Sequence, residues 1–156
     1  MKTESIPMSQ LAELLAVQLE NGEAPLRVTG TSMHPTFRSG RDSVVLKKQD
    51  TPLRKRDVIL YQRKSGQYVL HRIVAQKGDL LILSGDNQFE PEEVAPSQVI
   101  ARVVAFWRNG KEYPVTHLGY RLWVWLWVLV FPIRRPFLRF RRWFGRFRRK
   151  IIRRNR

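Results

Sequence analysis

The sequence predicts a mainly β domain, an antiparallel and partly closed sheet that a short helix precedes and a helical tail follows. Short β-type runs recur between residues 26 and 115, and turn residues separate them. No alternation of strands with helices is present, which argues against a parallel sheet. The chain has 156 residues, enough for one domain with an appendage but not for two full domains.

The first predicted element is a helix at residues 8–20. Its apolar residues recur mostly at steps of three and four, and Asn21-Gly22 provides a stop. We expect this helix to pack on the sheet. Residues 1–20 contain three glutamates and no continuous apolar run, so no N-terminal signal peptide is expected.

Strands are predicted after this helix. Lys64-Ser65-Gly66 and Asn109-Gly110 are examples of the turns between them. The predicted strands are Leu26–Thr29, Ser43–Lys47, Asp57–Gln62, Tyr68–Ala75, Leu80–Leu83, Val99–Trp107 and Lys111–Val115.

Positive charge is concentrated at the C-terminus. The net charge is +16, yet residues 120–156 hold 13 Arg or Lys and no acidic residue, so the preceding part carries only +3. We therefore divide the chain into a domain at residues 1–117 and a tail at 118–156. Cysteine is absent, which excludes disulfides and thiolate metal sites. No cofactor or metal is expected, because His34 and His117 lack ligand spacing.

The tail predicts attachment to a membrane. Leu122–Ile133 has no charge and contains three tryptophans, but it is shorter than the roughly 20 residues of a spanning helix. After it, aromatic residues alternate with arginines at helical spacing, a pattern typical of a helix on an anionic lipid surface. The apolar positions are Phe137, Phe140, Phe144, Phe147 and Ile151. A cell-membrane location follows, peripheral or through a single C-terminal anchor, with the side left open.

Nucleic-acid binding is the alternative for this tail. Arginines with interleaved aromatic residues can follow a phosphate backbone and stack on bases. A phosphate binder, however, has little need for an aromatic stripe on one helical face or for the uncharged run before it. We therefore expect nucleic acid not to be the partner.

The first motif with chemical content is Gly30-Thr31-Ser32-Met33-His34-Pro35-Thr36, which follows a short apolar strand. A serine between glycine and proline is most often a turn residue. The whole string, with Gly40 and Asp42 after it, resembles the nucleophile box of the signal peptidase I family. The resemblance implies that Ser32 is a nucleophile and that Gly30, Met33 and Pro35 lie at the substrate. We expect Gly30 to permit close backbone approach.

The second motif is Val69-Leu70-His71-Arg72-Ile73. It resembles the segment where bacterial signal peptidases carry a lysine base, and the histidine matches the Ser/His, endoplasmic-reticulum-type branch. The resemblance implies that His71 is the general base. Histidine, with an ordinary pKa of about 6.5, is already mostly neutral at pH 7, whereas lysine must first be desolvated.

The third motif, Gly85-Asp86-Asn87, resembles the box that follows the base in this family. A histidine base needs an acceptor on its second nitrogen. Asp86 is the preferred candidate, and Glu92 is the competitor, because the eukaryotic relatives have an acidic pair near that position. A turn-capping role for Asp86 is the alternative without chemistry.

These resemblances cover about Val28–Trp107 and imply a serine endopeptidase that cleaves signal or leader peptides through an acyl-enzyme. Arg41 interrupts the usual Gly-Asp pair, and Gly30 stands where some relatives place an oxyanion-hole serine. Related self-cleaving repressors carry a DNA-binding domain, for which residues 1–25 are too short. A non-catalytic membrane- or nucleic-acid-binding protein on a peptidase-like scaffold is the alternative function.

Overall fold

The computed structural model describes residues 15–88 and 90–131. In these ranges the chain forms helix α1 (residues 15–20), eight strands, a short 3₁₀ turn at Pro96–Gln98 and helix α2 (Leu118–Leu129). The strands are β1 (Glu23–Arg27), β2 (Asp42–Lys47), β3 (Val58–Gln62), β4 (Tyr68–Lys77), β5 (Leu80–Ser84), β6 (Glu92–Val94), β7 (Val99–Arg108) and β8 (Lys111–Pro114).

All strands belong to one antiparallel sheet in the order β1-β2-β7-β3-β4-β5-β6, and β8 pairs with β7. The predicted antiparallel β class is thus confirmed. The expected partial closure is wrong, because β1 and β6 at the two ends do not pair with each other. Both are poor templates for further pairing, since β1 contains Pro25 and β6 has only three residues, two of them glutamates.

Those two end strands also account for the differences from the predicted elements. Strand β1 was expected at Leu26–Thr29 and lies instead at Glu23–Arg27, because a proline is tolerated in an edge strand. Strand β6 has no apolar run and was not predicted. The helix expected at 8–20 is present at 15–20, and residues 8–14 lie outside the described part.

The sheet carries two clusters of buried apolar residues. The larger one joins α1 to β2, β3 and β7, and it includes Leu15, Met33, Phe37, Leu46 and Leu60. The smaller one lies between β3, β4 and β5 around Ile59, Tyr61 and Ile73. Successive residues of a strand point to opposite faces, so β3 contributes Leu60 to the first cluster and Ile59 and Tyr61 to the second.

Helix α2 packs on the domain. Val124 and Val128 are buried, and the Tyr120 ring stacks on Phe37 and packs at a tilt against Phe106. The first part of the expected tail is therefore attached to the sheet by aromatic and apolar contacts. Within residues 15–88 and 90–131, no helix is both long and apolar enough to cross a membrane. The predicted aromatic stripe from Phe137 to Ile151 lies outside the described residues.

Candidate active site

Ser32 and His71 line the same cavity, which has a volume of about 380 Å³. Ser32 comes from the loop between β1 and β2, and His71 from the middle of β4. These residues are distant in sequence, and the fold brings them to one surface. Other residues that line this cavity are Gly30, Met33, Arg63, Tyr68 and Gln88.

The loop that carries Ser32 is anchored by the two apolar side chains beneath it. Met33 is 2% exposed and Phe37 is fully buried, and the Phe37 N–H donates to the Met33 carbonyl at 2.9 Å. Gly30 begins the loop with φ +74°, in the left-handed region that favours glycine. The expected reason for this glycine, close backbone approach, is wrong, since a Cβ there would meet no atom within 4 Å.

The Gly85-Asp86-Asn87 turn holds the serine loop from the other side. The Asn87 N–H donates to the Ser32 carbonyl at 2.7 Å, and the Asn87 side-chain amide donates to the Thr31 carbonyl at 3.3 Å. A Cβ on Gly85 would lie 2.7 Å from the Ser32 carbonyl oxygen, so the close approach requires glycine here. The third motif therefore fixes the backbone next to Ser32.

His71 is almost completely buried, with 1% of its surface exposed. Its Nδ1 lies 3.2 Å from the Tyr61 hydroxyl and 3.5 Å from a Glu92 carboxylate oxygen. Burial lowers the pKa of His71 to about 4, and the negative charge of Glu92 only partly opposes this effect. The imidazole is thus neutral at pH 7.

The other ring nitrogen, Nε2, is buried and has no hydrogen-bond partner among the described residues. The hydrogen bond expected between Ser32 and His71 is therefore not formed, although both side chains line one cavity. Since Nδ1 faces Tyr61 and Glu92, Nε2 is the nitrogen that remains for a reacting group. Catalytic hydrogen bonds are often long in structures without substrate.

Glu92, rather than Asp86, is the carboxylate at the His71 ring. Arg63 forms a bidentate ion pair with Glu92 and is the main reason that the pKa of Glu92 is lowered. The Tyr61 hydroxyl also interacts with Glu92. Glu92 thus keeps its negative charge beside a neutral imidazole.

The preference for Asp86 as the partner of His71 is corrected by this geometry. Both Asp86 oxygens accept from the Arg72 guanidinium, at 2.9 Å from Nε and 2.7 Å from Nη2, and both residues are buried. Arg72 also donates to the Arg56 carbonyl and lies 3.4 Å from the Tyr120 hydroxyl. Asp86 therefore neutralises a buried arginine and links β4 to the turn that holds Ser32.

The expected substrate-binding residues are divided between two cavities. Gly30 and Met33 line the cavity of Ser32 and His71, although Met33 is largely packed into the core. Pro35 lines a different cavity, beside α2, and is not among the residues that line the Ser32 cavity. Pro35 lies three residues beyond Ser32, where the buried Phe37 draws the loop toward the core.

Tyr61 and Arg63 are site residues that the sequence motifs did not indicate. Ile59 pairs with His71 across the β3–β4 hairpin, so Tyr61, two residues on, projects from the same face. The hairpin turn at Lys64-Ser65-Gly66 could have suggested this neighbour, because the turn sets the register. The contact of Arg63 with Glu92 depends on β6, which had no strand signal.

A loop serine and a buried, neutral histidine line one cavity of this mainly antiparallel domain, as expected for a serine-peptidase-type scaffold. The family model for Peptidase S24-like proteins matches residues 7–104, which is more than half of the chain. The chain therefore belongs to the Peptidase S24-like family. A comparison with curated proteins found no match.

Proposed function

We propose that this protein is a serine endopeptidase in which Ser32 is the nucleophile and His71 is the general base. The observation that carries the proposal is the shared cavity, which a loop serine and a buried, neutral imidazole both line. A neutral imidazole can accept a proton at pH 7, as a general base must. Membership of a peptidase family supports the same reaction class.

In the proposed reaction, His71 Nε2 takes the proton of the Ser32 hydroxyl while Oγ attacks the peptide carbonyl. The backbone N–H of Ser32 makes no hydrogen bond within the described residues, so it can donate to the oxyanion. His71 then protonates the leaving amine, and water cleaves the acyl-enzyme with His71 again as base.

Glu92 and Tyr61 act in this proposal as positioning residues for His71. We infer that the Tyr61 O–H donates to Glu92, because a carboxylate can only accept, and that the Tyr61 oxygen, 3.2 Å from Nδ1, accepts from Nδ1–H. This arrangement places the proton of the neutral ring on Nδ1 and the lone pair on Nε2. It also places a negative charge near the imidazolium that forms during reaction.

We infer from the motif likeness that the enzyme resembles the Ser/His branch of signal peptidases and cleaves extended signal or leader peptides. Family likeness implies small side chains around the cut. The C-terminal charge supports a location at an anionic cell membrane, where the tail at 118–156 holds the enzyme near membrane-bound preproteins.

Cleavage of a fluorogenic leader-type peptide tests this function. We expect activity in the wild-type protein and in Ser39→Ala, an exposed serine of the same loop, and no activity in Ser32→Ala or His71→Ala. Folding of each variant is checked by circular dichroism. Equal rates in all four proteins would reject the enzyme and leave the non-catalytic binding protein as the function.

A further inference from the structure

The outward face of α2 is apolar and exposed. Its five large apolar residues are between 47% and 69% exposed, whereas Val124 and Val128 on the opposite face are buried. Their positions follow helical spacing along one side of the helix. The exposed residues are Leu118, Leu122, Trp125, Leu126 and Leu129. We refer to them as the outer face of α2.

Basic residues border this helix on both sides. A cavity of about 500 Å³ on one side is lined by Arg38, Arg41, Arg108 and Trp123. A cavity of about 770 Å³ on the other side is lined by five basic residues and a single acidic one, Asp57. The five are Arg54, Lys55, Arg56, Arg102 and Arg121.

Several of these cations have no carboxylate to neutralise them. Arg41 and Arg108 share the buried Asp42, and Arg102 pairs with Asp50. By contrast, four other cations around the helix form no ion pair within residues 15–88 and 90–131. They come from three separate segments and are Arg38, Arg54, Lys55 and Arg121. The border of the outer face therefore has uncompensated positive charge.

The occupant of this surface must be both apolar and negatively charged. A second copy of the chain would bring the same cations, and residues 132–156 hold 12 more Arg or Lys without an acidic residue, so both are repelled. A nucleic acid matches the charge but not the five apolar side chains. The surface of an anionic bilayer matches both, because acyl chains lie directly beneath the phosphates.

We propose that α2 docks the domain on an anionic bilayer, with its outer face among the acyl chains and the neighbouring cations at the lipid phosphates. This inference rests on the membrane location in the proposed function and gives it a defined surface and orientation. Within the described residues α2 has 12 residues, fewer than the roughly 20 of a spanning helix, and the proposal is therefore an interfacial attachment. No residue that lines the two cavities beside α2 also lines the Ser32 cavity, so docking leaves that cavity uncovered.

Site-specific labelling separates docking through α2 from simple binding of the basic tail. The chain has no cysteine, so single substitutions accept a fluorophore cleanly. The full-length variants Leu122→Cys and Leu126→Cys report on the outer face, and Val17→Cys, an exposed apolar position on α1, is the matched control. Each is mixed with vesicles of phosphatidylcholine and phosphatidylglycerol in equal parts, some carrying a lipid-linked quencher.

We expect the quencher to reduce fluorescence at least twofold at positions 122 and 126 and to leave position 17 unchanged. Vesicle binding with no quenching at 122 and 126 would mean that the tail alone holds the protein, and would overturn the docking surface. Quenching at all three positions would reject the orientation. Peptide cleavage by the same variants, measured without vesicles, tests the enzyme separately.

Charge reversal tests the cations beside the helix. We expect Arg54→Glu with Lys55→Glu to weaken vesicle binding at least fivefold, whereas Lys48→Glu with Lys64→Glu, an equal charge change at positions outside both cavities, weakens it less than twofold. Equal losses in the two proteins would show dependence on net charge only and would contradict docking through this surface. Tighter binding to an oligonucleotide than to vesicles, lost in the 54/55 variant, would assign the surface to nucleic acid instead.

Discussion

At the scale of single residues, the surroundings of His71 determine the chemistry. The ring is buried, its Nδ1 faces Tyr61 and Glu92, and its Nε2 has no partner in the described part of the chain. Burial disfavours the charged ring and therefore keeps His71, the proposed base, unprotonated over a wide pH range.

The pH dependence of activity follows from this pKa. Because burial lowers the pKa of His71 to about 4, the base stays unprotonated above that value. We expect kcat/KM for peptide cleavage to fall on the acid side with a midpoint near pH 4, measured over pH 3 to 8 with a stability check at each pH. A midpoint at the ordinary histidine value of about 6.5 would contradict a buried base.

The carboxylate that serves His71 can be identified by comparing two isosteric variants. We expect Glu92→Gln to lower kcat at least tenfold with a small change in stability, because the partly exposed Glu92 would stabilise the imidazolium of the proposed reaction. Asp86→Asn should instead destabilise the fold by about 3 kcal/mol, since it leaves a buried Arg72 without its counter-charge. The measurements are steady-state kinetics and urea unfolding.

Tyr61→Phe complements Glu92→Gln, because it removes only the hydroxyl that interacts with both His71 and Glu92. A severalfold drop in kcat with unchanged KM is expected. If Glu92→Gln has no effect on kcat while Asp86→Asn abolishes activity in folded protein, the sequence-based choice of Asp86 would be restored.

The motifs singled out Ser32 and His71, which line one cavity, because each motif is a short, distinctive stretch of sequence. They failed for Asp86 because the sequence shows acidic residues but not their partners. Arg72, directly after the base, takes both Asp86 oxygens. Because Arg72 is buried on β4, it requires a carboxylate as its counter-charge, and Asp86 is that carboxylate.

At the scale of elements, the turn at residues 85–87 holds the serine loop by backbone contacts. Gly85→Ala would place a Cβ 2.7 Å from the Ser32 carbonyl oxygen, so the loop must move. We expect kcat to fall at least tenfold. Gly110→Ala, in the β7–β8 hairpin, is the control for a glycine replacement without a clash, since a Cβ there meets open space and its cost comes from the positive φ of +75°.

The control should lose about 1 kcal/mol of stability with kcat unchanged. Equal kcat in the two variants would mean that the turn does not position Ser32.

Strands with runs of apolar and β-branched residues, such as β2 and β7, were predictable within a few residues. The edge strands β1 and β6 were not, because their pairing comes from the neighbouring strand rather than from their own composition.

At the scale of the whole molecule, the domain with the apolar core and the segment with the excess positive charge occupy different parts of the sequence. The domain before residue 120 is nearly balanced, and the excess of basic residues follows α2. The uncharged run Leu122–Ile133 could be read from sequence as a membrane, core or interface segment. The structure shows that Val124 and Val128 on one side of it are buried, and that Tyr120, at the start of the same helix, packs against Phe37 and Phe106.

The buried imidazole also affects folding stability. Its pKa in the folded protein, about 4, lies below the ordinary 6.5, so the unfolded chain takes up a proton first as pH falls. The neutral His71 therefore makes its full contribution to the unfolding free energy above about pH 6.5. This contribution, about 3 kcal/mol in all, is lost as the pH decreases toward 4. The unfolding free energy should therefore fall by less between pH 7 and pH 4.5 in His71→Gln than in the wild-type protein. An identical pH slope in both proteins would contradict the lowered pKa.

Covalent labelling of the nucleophile is the most direct measurement of the proposed chemistry. Wild-type protein at pH 7 is incubated with a fluorophosphonate, digested and analysed by mass spectrometry, with His71→Ala in parallel. We expect one adduct, on the Ser32 hydroxyl, that forms at least a hundredfold more slowly without His71. An adduct on another serine, or labelling of Ser32 at the same rate without His71, would contradict a Ser32–His71 peptidase.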